Sequence, residues 1–133
     1  MNTFLDSARP YSELIGRVLI AALFVLSGFA KISGYTATQG YMESAGVPGG
    51  LLPVVILLEL GGGLAIVAGL YTRVTALLLA AFSIVVGLLF HAGAADQIQQ
   101  IMFLKNLGLA GGFLFLAANG AGRLSVDRLR QRA

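Results

Sequence analysis

The sequence predicts an all-α integral membrane protein folded as a four-helix transmembrane bundle. Charged residues make up only 11% of the 133 residues and hydrophobic ones 57%, whereas a soluble domain usually carries about 25% charged residues. Four apolar stretches are each close to the roughly 20 residues that a helix needs to cross a bilayer. None of them alternates polar and apolar residues as a membrane strand would.

The four predicted helices form a single membrane domain, and their approximate ranges are 14–33, 51–71, 74–95 and 101–121. A short basic tail, residues 122–133, follows the last helix. The first helix resembles a signal peptide because Gly28 and Ala30 give a small-x-small pattern, but we interpret it as a retained helix. The loop "GYTATQGYMESAGVPGG" is predicted to hold a short interfacial helix over about residues 38–45.

Basic residues are distributed unevenly between the two ends of this bundle. Four crossings place both termini on one side, and that side collects Arg9, Arg17, Arg73, Arg123, Arg128, Arg130 and Arg132. The other side has Lys31 and Lys105. Because short cytoplasmic segments carry the excess of Lys and Arg, we expect both termini to be cytoplasmic. The net charge of +3 then reflects topology, and no nucleic-acid partner is expected.

The residue types missing from the sequence exclude several kinds of chemistry. The chain has no cysteine and one histidine, which excludes disulfides, thiol redox chemistry, Cys-ligated zinc and iron–sulfur clusters. The sequence also has no phosphate loop, dinucleotide fingerprint or set of histidines spaced for a metal. We therefore predict no metal site and name no catalytic residue.

Small residues predict where the helices pack, because close backbone approach drives helix association in lipid. The predicted packing positions are Gly28, Gly61, Gly62, Gly63, Gly69, Gly108, Gly111 and Gly112. In the first helix, Arg17, Gly28 and Lys31 share one face. That face is expected to point into the bundle, since a charge facing lipid is costly.

The segment "VVILLELGGGLAIV", residues 54–67, places one carboxylate, Glu59, inside an apolar helix. A carboxylate near the bilayer centre costs about 2.5–3.5 kcal/mol on insertion scales, so it needs a partner. Polar residues of the other helices lie at a similar depth, and the predicted cluster is Lys31, Glu59, His91, Lys105 and Asn106. Glu59 is expected to pair with a lysine, and the sequence leaves open which one. Arg17 and Arg73 form a second predicted polar site near the cytoplasmic end.

Two interpretations of the cluster around Glu59 stay open. A buried ion pair can serve only to fix how the helices pack, and such pairs often stabilise a fold little. Alternatively, the cluster is a polar pocket that binds a lipid headgroup, a quinone or another small carbonyl compound.

Several segments of the chain also resemble a known family. The segments "GRVLIAALFVLSGFAKISGY", "YMESAGVPGGLLPVVILLELGGGLAIVAGLYTR" and "FLKNLGLAGGFLFLA" are similar to the DoxX family, and within it to the YqjF/YphA-like branch of small bacterial inner-membrane proteins. The resemblance covers about residues 15–128. The residues that match the family pattern are Arg17, Gly28, Lys31, Glu59, Gly62, Gly63, Thr72, Arg73, Lys105, Asn106, Gly111 and Gly112.

The resemblance implies a location in the bacterial inner membrane and a quinone-linked redox role beside other membrane subunits. Under this hypothesis the polar cluster binds a quinone, one lysine donates to a carbonyl oxygen and Glu59 handles protons. The alternative is a non-catalytic scaffold or accessory subunit of an oxidoreductase complex. A transporter is a third alternative, and four short helices would then require a homo-oligomer.

Overall fold

The computed structural model describes residues 3–93 and 95–132, and the regular elements in this part of the chain are all helical. Four helices are long and apolar enough to cross a membrane, which confirms the predicted number of spans. These are α1 (Thr3–Ser33), α3 (Gly49–Ala68), α4 (Thr72–His91) and α5 (Gln97–Asn119). The short helix α2 (Tyr35–Ser44) joins α1 to α3, and α6 (Val126–Arg132) follows α5. We call the two ends of the bundle the α2 end and the terminal end, the latter holding the start of α1 and α6.

The first helix begins at Thr3, eleven residues before the predicted start at residue 14. The prediction followed the apolar stretch alone, and the helix also includes the more polar segment before it, with Pro10 two turns from its start. An ion pair at 3.2 Å between Arg9 and Glu13, four residues apart, supports this segment. The 31 residues of α1 span about 46 Å at 1.5 Å per residue. This helix is therefore longer than the roughly 30 Å hydrocarbon core.

The helix α3 is irregular in its middle. A 3₁₀ turn (Gly49–Leu51) and one α-helical stretch (Leu52–Ile56) lead into a π-helical turn (Leu57–Gly61), after which the α-helix resumes at Gly62. The helix ends at Ala68 rather than residue 71, because Gly69 adopts φ +72°. That left-handed conformation is a common helix terminator and suits glycine.

The helices α4 and α5 also differ from their predicted bounds by a few residues. The α4 helix ends at His91 in a π-helical turn (Gly87–His91) rather than at residue 95, and residue 94 of the predicted range lies outside the described residues. The α5 helix begins at Gln97, four residues early, because the carboxylate of Asp96 accepts a hydrogen bond from the Ile98 amide at 3.1 Å.

The spanning helices pack in the order α1, α3, α4, α5. Side chains close the bundle between the first and last of these, where the rings of Phe24 and Phe113 meet edge to face with centroids 5.3 Å apart. The buried core contains Ala21, Phe24, Ile66, Ala76, Leu79, Ala80, Ala110, Phe113 and Ala117. Large apolar side chains cover the outside of all four helices, as expected of a bundle whose solvent is lipid.

Glycines bring α1 and α3 into close contact. A Cβ on Gly28 would lie 3.1 Å from the backbone nitrogen of Leu60, and a Cβ on Gly63 would lie 3.2 Å from that of Val25. A Cβ on Gly112 would lie 2.9 Å from Cδ1 of Ile20, so the absence of a side chain there leaves room for Ile20 of α1. These three positions therefore mark where one helix fits against another.

Other predicted packing positions behave differently. A Cβ on Gly108 or Gly111 would have no neighbour within 4 Å, and one on Gly61 would meet only Leu57 of its own helix. A side chain at any of these three positions would therefore meet no other helix among the described residues, and spacing of small residues does not by itself show which side of a helix faces inward. A Cβ on Gly62 would contact the Leu79 side chain at 3.2 Å. Gly69 lies at a turn rather than at a helix contact.

Candidate functional site

A cavity of about 180 Å³ lies between the four spanning helices, in the half of the bundle nearer α2. All five residues of the predicted polar cluster line it, one or two from each spanning helix. The remaining lining residues are two serines, two phenylalanines and three aliphatic residues: Ser27, Ser83, Phe24, Phe82, Leu23, Val86 and Leu109. The cavity thus combines apolar walls with a few polar groups, which is typical of small-molecule sites.

An ion pair joins α1 to α3 at the edge of this cavity. Lys31 Nζ lies 2.7 Å from Glu59 Oε1 and donates a hydrogen bond of 2.7 Å to Ser27 Oγ. The Glu59 side chain is 6% exposed and the Lys31 side chain 26%. Oε1 accepts no hydrogen bond within the described residues, so the contact with Lys31 is an ion pair. The partner that the sequence left open is therefore Lys31.

Both π-helical turns carry a member of the cluster. Glu59 is the middle residue of the turn in α3, and His91 is the last residue of the turn in α4. A π turn widens the helix and often occurs at functional sites. His91 Nδ1 lies 2.5 Å from Oε1 of Gln99, near the start of α5, which fixes the orientation of the imidazole ring.

Asn106 and Lys105 are neighbours on α5 but have different surroundings. Asn106 is 6% exposed, and its amide has no hydrogen-bond partner among the described residues. The residue lines the cavity, and an amide group can both donate and accept hydrogen bonds. Lys105 is exposed at the rim, where Nζ lies 3.4 Å from the sulfur of Met102.

The two arginines of the second predicted polar site, Arg17 and Arg73, bind different backbone carbonyls. Arg17 is buried and its guanidinium donates to the carbonyl oxygens of Ile66 and Val67, at 3.2 and 3.1 Å, and to that of Leu124. It therefore caps the end of α3 and binds the tail. Arg73 is exposed, and its Nε donates to the carbonyl of Ala117 at 2.7 Å, near the end of α5. Each arginine thus terminates a different helix.

Sequence reasoning missed Asp127, which caps a helix 55 residues away in the sequence. Its carboxylate accepts hydrogen bonds from the backbone amides of Tyr71 and Thr72, at 2.7 and 2.9 Å. It thereby provides partners for N–H groups that the start of α4 leaves without one. Burial raises the pKa of Asp127, but the hydrogen bonds from Thr72 and Tyr71 and the charge of Arg130 outweigh it and hold that pKa below its ordinary value. No local sequence signal links these two segments.

Four apolar helices around a polar cavity with an internal ion pair define a small integral membrane protein. The model of the DoxX family matches residues 12–92. The chain belongs to the DoxX family.

Two inner membrane proteins of Escherichia coli (strain K12) are similar to the chain. Inner membrane protein YqjF is 53% identical over 116 residues, which cover 87% of this chain and 89% of that protein. Inner membrane protein YphA is 35% identical over 139 aligned positions, covering 96% and 99% of the two chains. An uncharacterized protein of Haemophilus influenzae is 29% identical over 127 residues, covering 92% of this chain and 93% of that protein. No solved structure matches the chain.

Proposed function

We propose that this DoxX-family membrane protein binds a neutral, single-ring carbonyl compound of the quinone class in the cavity around Glu59. The main supporting observation is that Lys31, Glu59 and Asn106 line one cavity, where Glu59 Oε1 is buried and accepts no hydrogen bond within the described residues. The cavity volume of about 180 Å³ is sufficient for one ring, since an apolar cavity of about 150 Å³ binds benzene. An apolar tail on the ring would remain in lipid.

The groups around the cavity suit both oxidation states of such a ring. The ammonium of Lys31 and the amide of Asn106 donate hydrogen bonds to a carbonyl oxygen, whereas Glu59 accepts one from a hydroxyl. Phe24 and Phe82 supply flat apolar walls. The chain has no cysteine, so in this proposal electrons arrive through the bound ring from a partner subunit.

The orientation of the protein is part of the same proposal. Because arginines are concentrated at the terminal end, the positive-inside rule assigns that end to the cytoplasm. The cavity then lies in the outer half of the inner membrane.

One observation favours the second candidate, a non-catalytic scaffold. Lys31 already has two partners, Glu59 and Ser27, without any ligand. An ion pair of this kind is sufficient to fix the register of α1 against α3. The cavity would then be only a packing defect.

Mass spectrometry of small molecules extracted from the gently purified protein distinguishes these two functions. The informative variants are Glu59→Gln and Asn106→Leu. Glu43→Gln is the matched control, because it neutralises an exposed carboxylate of α2. Size-exclusion chromatography and circular dichroism establish that each variant is folded.

We expect a stoichiometric ring compound from the wild type and from Glu43→Gln, and its loss from folded Glu59→Gln and Asn106→Leu. Bulk phospholipid alone in all four samples would overturn the ligand-binding proposal and favour the scaffold. Equal retention of the compound in every variant would also overturn it, because the compound would then bind elsewhere.

A further inference from the structure

A second, larger cavity of about 910 Å³ lies at the terminal end of the bundle. It is a groove between the first turns of α1, the start of α4 and the tail that contains α6. Five arginines and three carboxylates line it. The groove shares no lining residue with the cavity around Glu59, so it is a separate candidate site.

The carboxylates cancel only part of the positive charge of the groove, because five arginines and three carboxylates leave a formal charge of +2. Glu13 pairs with Arg9 at 3.2 Å, and Asp127 accepts hydrogen bonds from backbone amides at the start of α4. The third, Asp6, lies in the first turn of α1, where it also offsets the positive end of that helix. The acidic groups therefore have local roles, and an excess of arginine remains.

Three of the arginines have donors available. Arg123 and Arg128 are exposed, and neither side chain has a hydrogen bond or ion pair within the described residues. Arg73 uses Nε to bind the carbonyl of Ala117, and its two terminal nitrogens have no such partner in the same part of the chain. A planar guanidinium with free donors matches the oxygens of a phosphate group.

The 31 residues of α1 exceed the length that the hydrocarbon core requires. Its first turns border the groove and carry exposed apolar side chains. On this segment the side chains of Phe4, Leu5 and Tyr11 are 78%, 63% and 63% exposed. Large apolar side chains beside a basic groove are typical of a surface whose apolar part enters the acyl chains while its cations contact headgroups.

We propose that this groove binds the phosphate of an anionic phospholipid through Arg73, Arg123 and Arg128. The ligand chemistry is a phosphate diester, and the exposed apolar residues indicate that it comes from a lipid rather than from solution. Each arginine beside an anionic surface contributes about 1 kcal/mol. This corresponds to about a fivefold change in affinity for each one removed.

Native mass spectrometry of the full chain in a neutral detergent tests the proposal by titration with short-chain phosphatidylglycerol. Phosphatidylcholine is the lipid control, because it has the same phosphate but no net charge. The variants are Arg123→Gln, Arg128→Gln and the double variant. Lys105→Gln, which removes one positive charge at the α2 end, is the protein control. A competition series with inorganic phosphate separates a lipid ligand from a soluble one.

We expect the wild-type protein to bind phosphatidylglycerol more tightly than phosphatidylcholine. Compared with the wild type, each single arginine variant should bind phosphatidylglycerol about fivefold more weakly, and the double variant about 25-fold more weakly. Lys105→Gln should bind like the wild type. The proposal is overturned if the two lipids bind equally, or if Lys105→Gln loses as much affinity as Arg128→Gln. It is also overturned if inorganic phosphate displaces the lipid at equal concentration, since the site would then take a soluble anion.

Discussion

Lys31 Nζ and Glu59 Oε1 lie 2.7 Å apart although they belong to different spanning helices. The contact joins the last turn of α1 to the π turn of α3, where Gly28 allows the same two helices to approach closely. Each charge offsets the cost of burying the other in an apolar bundle. The pair and the glycine therefore fix the same interface by two different means.

Removing one partner of this pair should destabilise the protein more than removing both. Glu59→Leu leaves Lys31 without its counter-charge, and we expect a loss of about 3 kcal/mol in the free energy of unfolding. This is the lower end for buried pairs, because the Lys31 side chain is 26% exposed. Lys31→Met combined with Glu59→Leu should recover most of that loss. Circular dichroism during SDS titration in mixed micelles measures both values, and a double variant less stable than Glu59→Leu would contradict the prediction.

Adding a methyl group at Gly63 should separate α1 from α3. The new Cβ would lie 2.8 Å from Val25 Cγ2 and 3.4 Å from the Ala21 carbonyl oxygen, and overpacking of this kind costs about 1–3 kcal/mol. Gly111→Ala is the matched control, because its Cβ would have no neighbour within 4 Å. In the control, alanine should stabilise α5 by about 0.5–1 kcal/mol. Thermal melts of the two variants should therefore shift in opposite directions, and a shared direction would argue against this packing.

Arg17→Lys should loosen the tail. A lysine lacks the planar guanidinium whose several N–H groups bind the carbonyls of α3 and of Leu124 at the same time. Hydrogen bonds from charged groups contribute about 1.5–3 kcal/mol each. We expect lower thermal stability and faster tryptic cleavage after Arg123. Arg9→Lys is the control, because the Arg9 side chain is 70% exposed. Equal cleavage rates in the two variants would show that Arg17 does not hold the tail.

Asp127 should make stability depend on acidity. Its pKa is lower in the folded protein than the ordinary value of 3.8, so the unfolded chain binds the proton more readily. The stabilisation is therefore present above about pH 4 and is lost as the pH falls through the lowered folded value. In Asp127→Asn the difference between melting temperatures at pH 7 and pH 3 should be smaller than in the wild type. Glu43→Gln, which neutralises an exposed carboxylate of α2, should keep the wild-type difference, and the same reduction there would point to a general charge effect.

Fusions to the C-terminus test the proposed orientation. The arginine bias assigns the terminal end to the cytoplasm, so a green fluorescent protein fused after residue 133 should fluoresce and an alkaline phosphatase fusion should be inactive. A phosphatase inserted near Gly46, in the loop after α2, should be active. The reverse pattern would invert the proposed topology and place the cavity in the cytoplasmic half.

Hydropathy was sufficient to find the four spans, because each buries a long apolar stretch in lipid. It could not identify the partner of Glu59, since periodicity does not determine which helices are neighbours. The two π turns were missed as well. The glycine run after Glu59 is compatible with an irregular helix, but it is equally compatible with close packing, which is how it was interpreted.

Long-range caps were the other feature beyond the reach of sequence reasoning. Asp127 and Thr72 are 55 residues apart, and their hydrogen bond forms only when the tail folds back against the start of α4. The same applies to Arg17, whose charge suggested a polar site although its guanidinium binds backbone carbonyls. Glycine spacing also does not distinguish Gly28 and Gly63, where an added Cβ would meet another helix, from Gly108 and Gly111, where it would have no neighbour within 4 Å.

The ion pair between Lys31 and Glu59 has an electrical consequence. Moving one elementary charge across a membrane potential changes the free energy by about 2.3 kcal/mol per 100 mV. The pair carries opposite charges 2.7 Å apart, so together the two side chains add no net charge to the bundle. A neutral guest that binds beside them likewise transfers none through the field. Occupancy by such a guest would therefore be the same in an energised and a de-energised cell, whereas an anionic guest would sense the voltage.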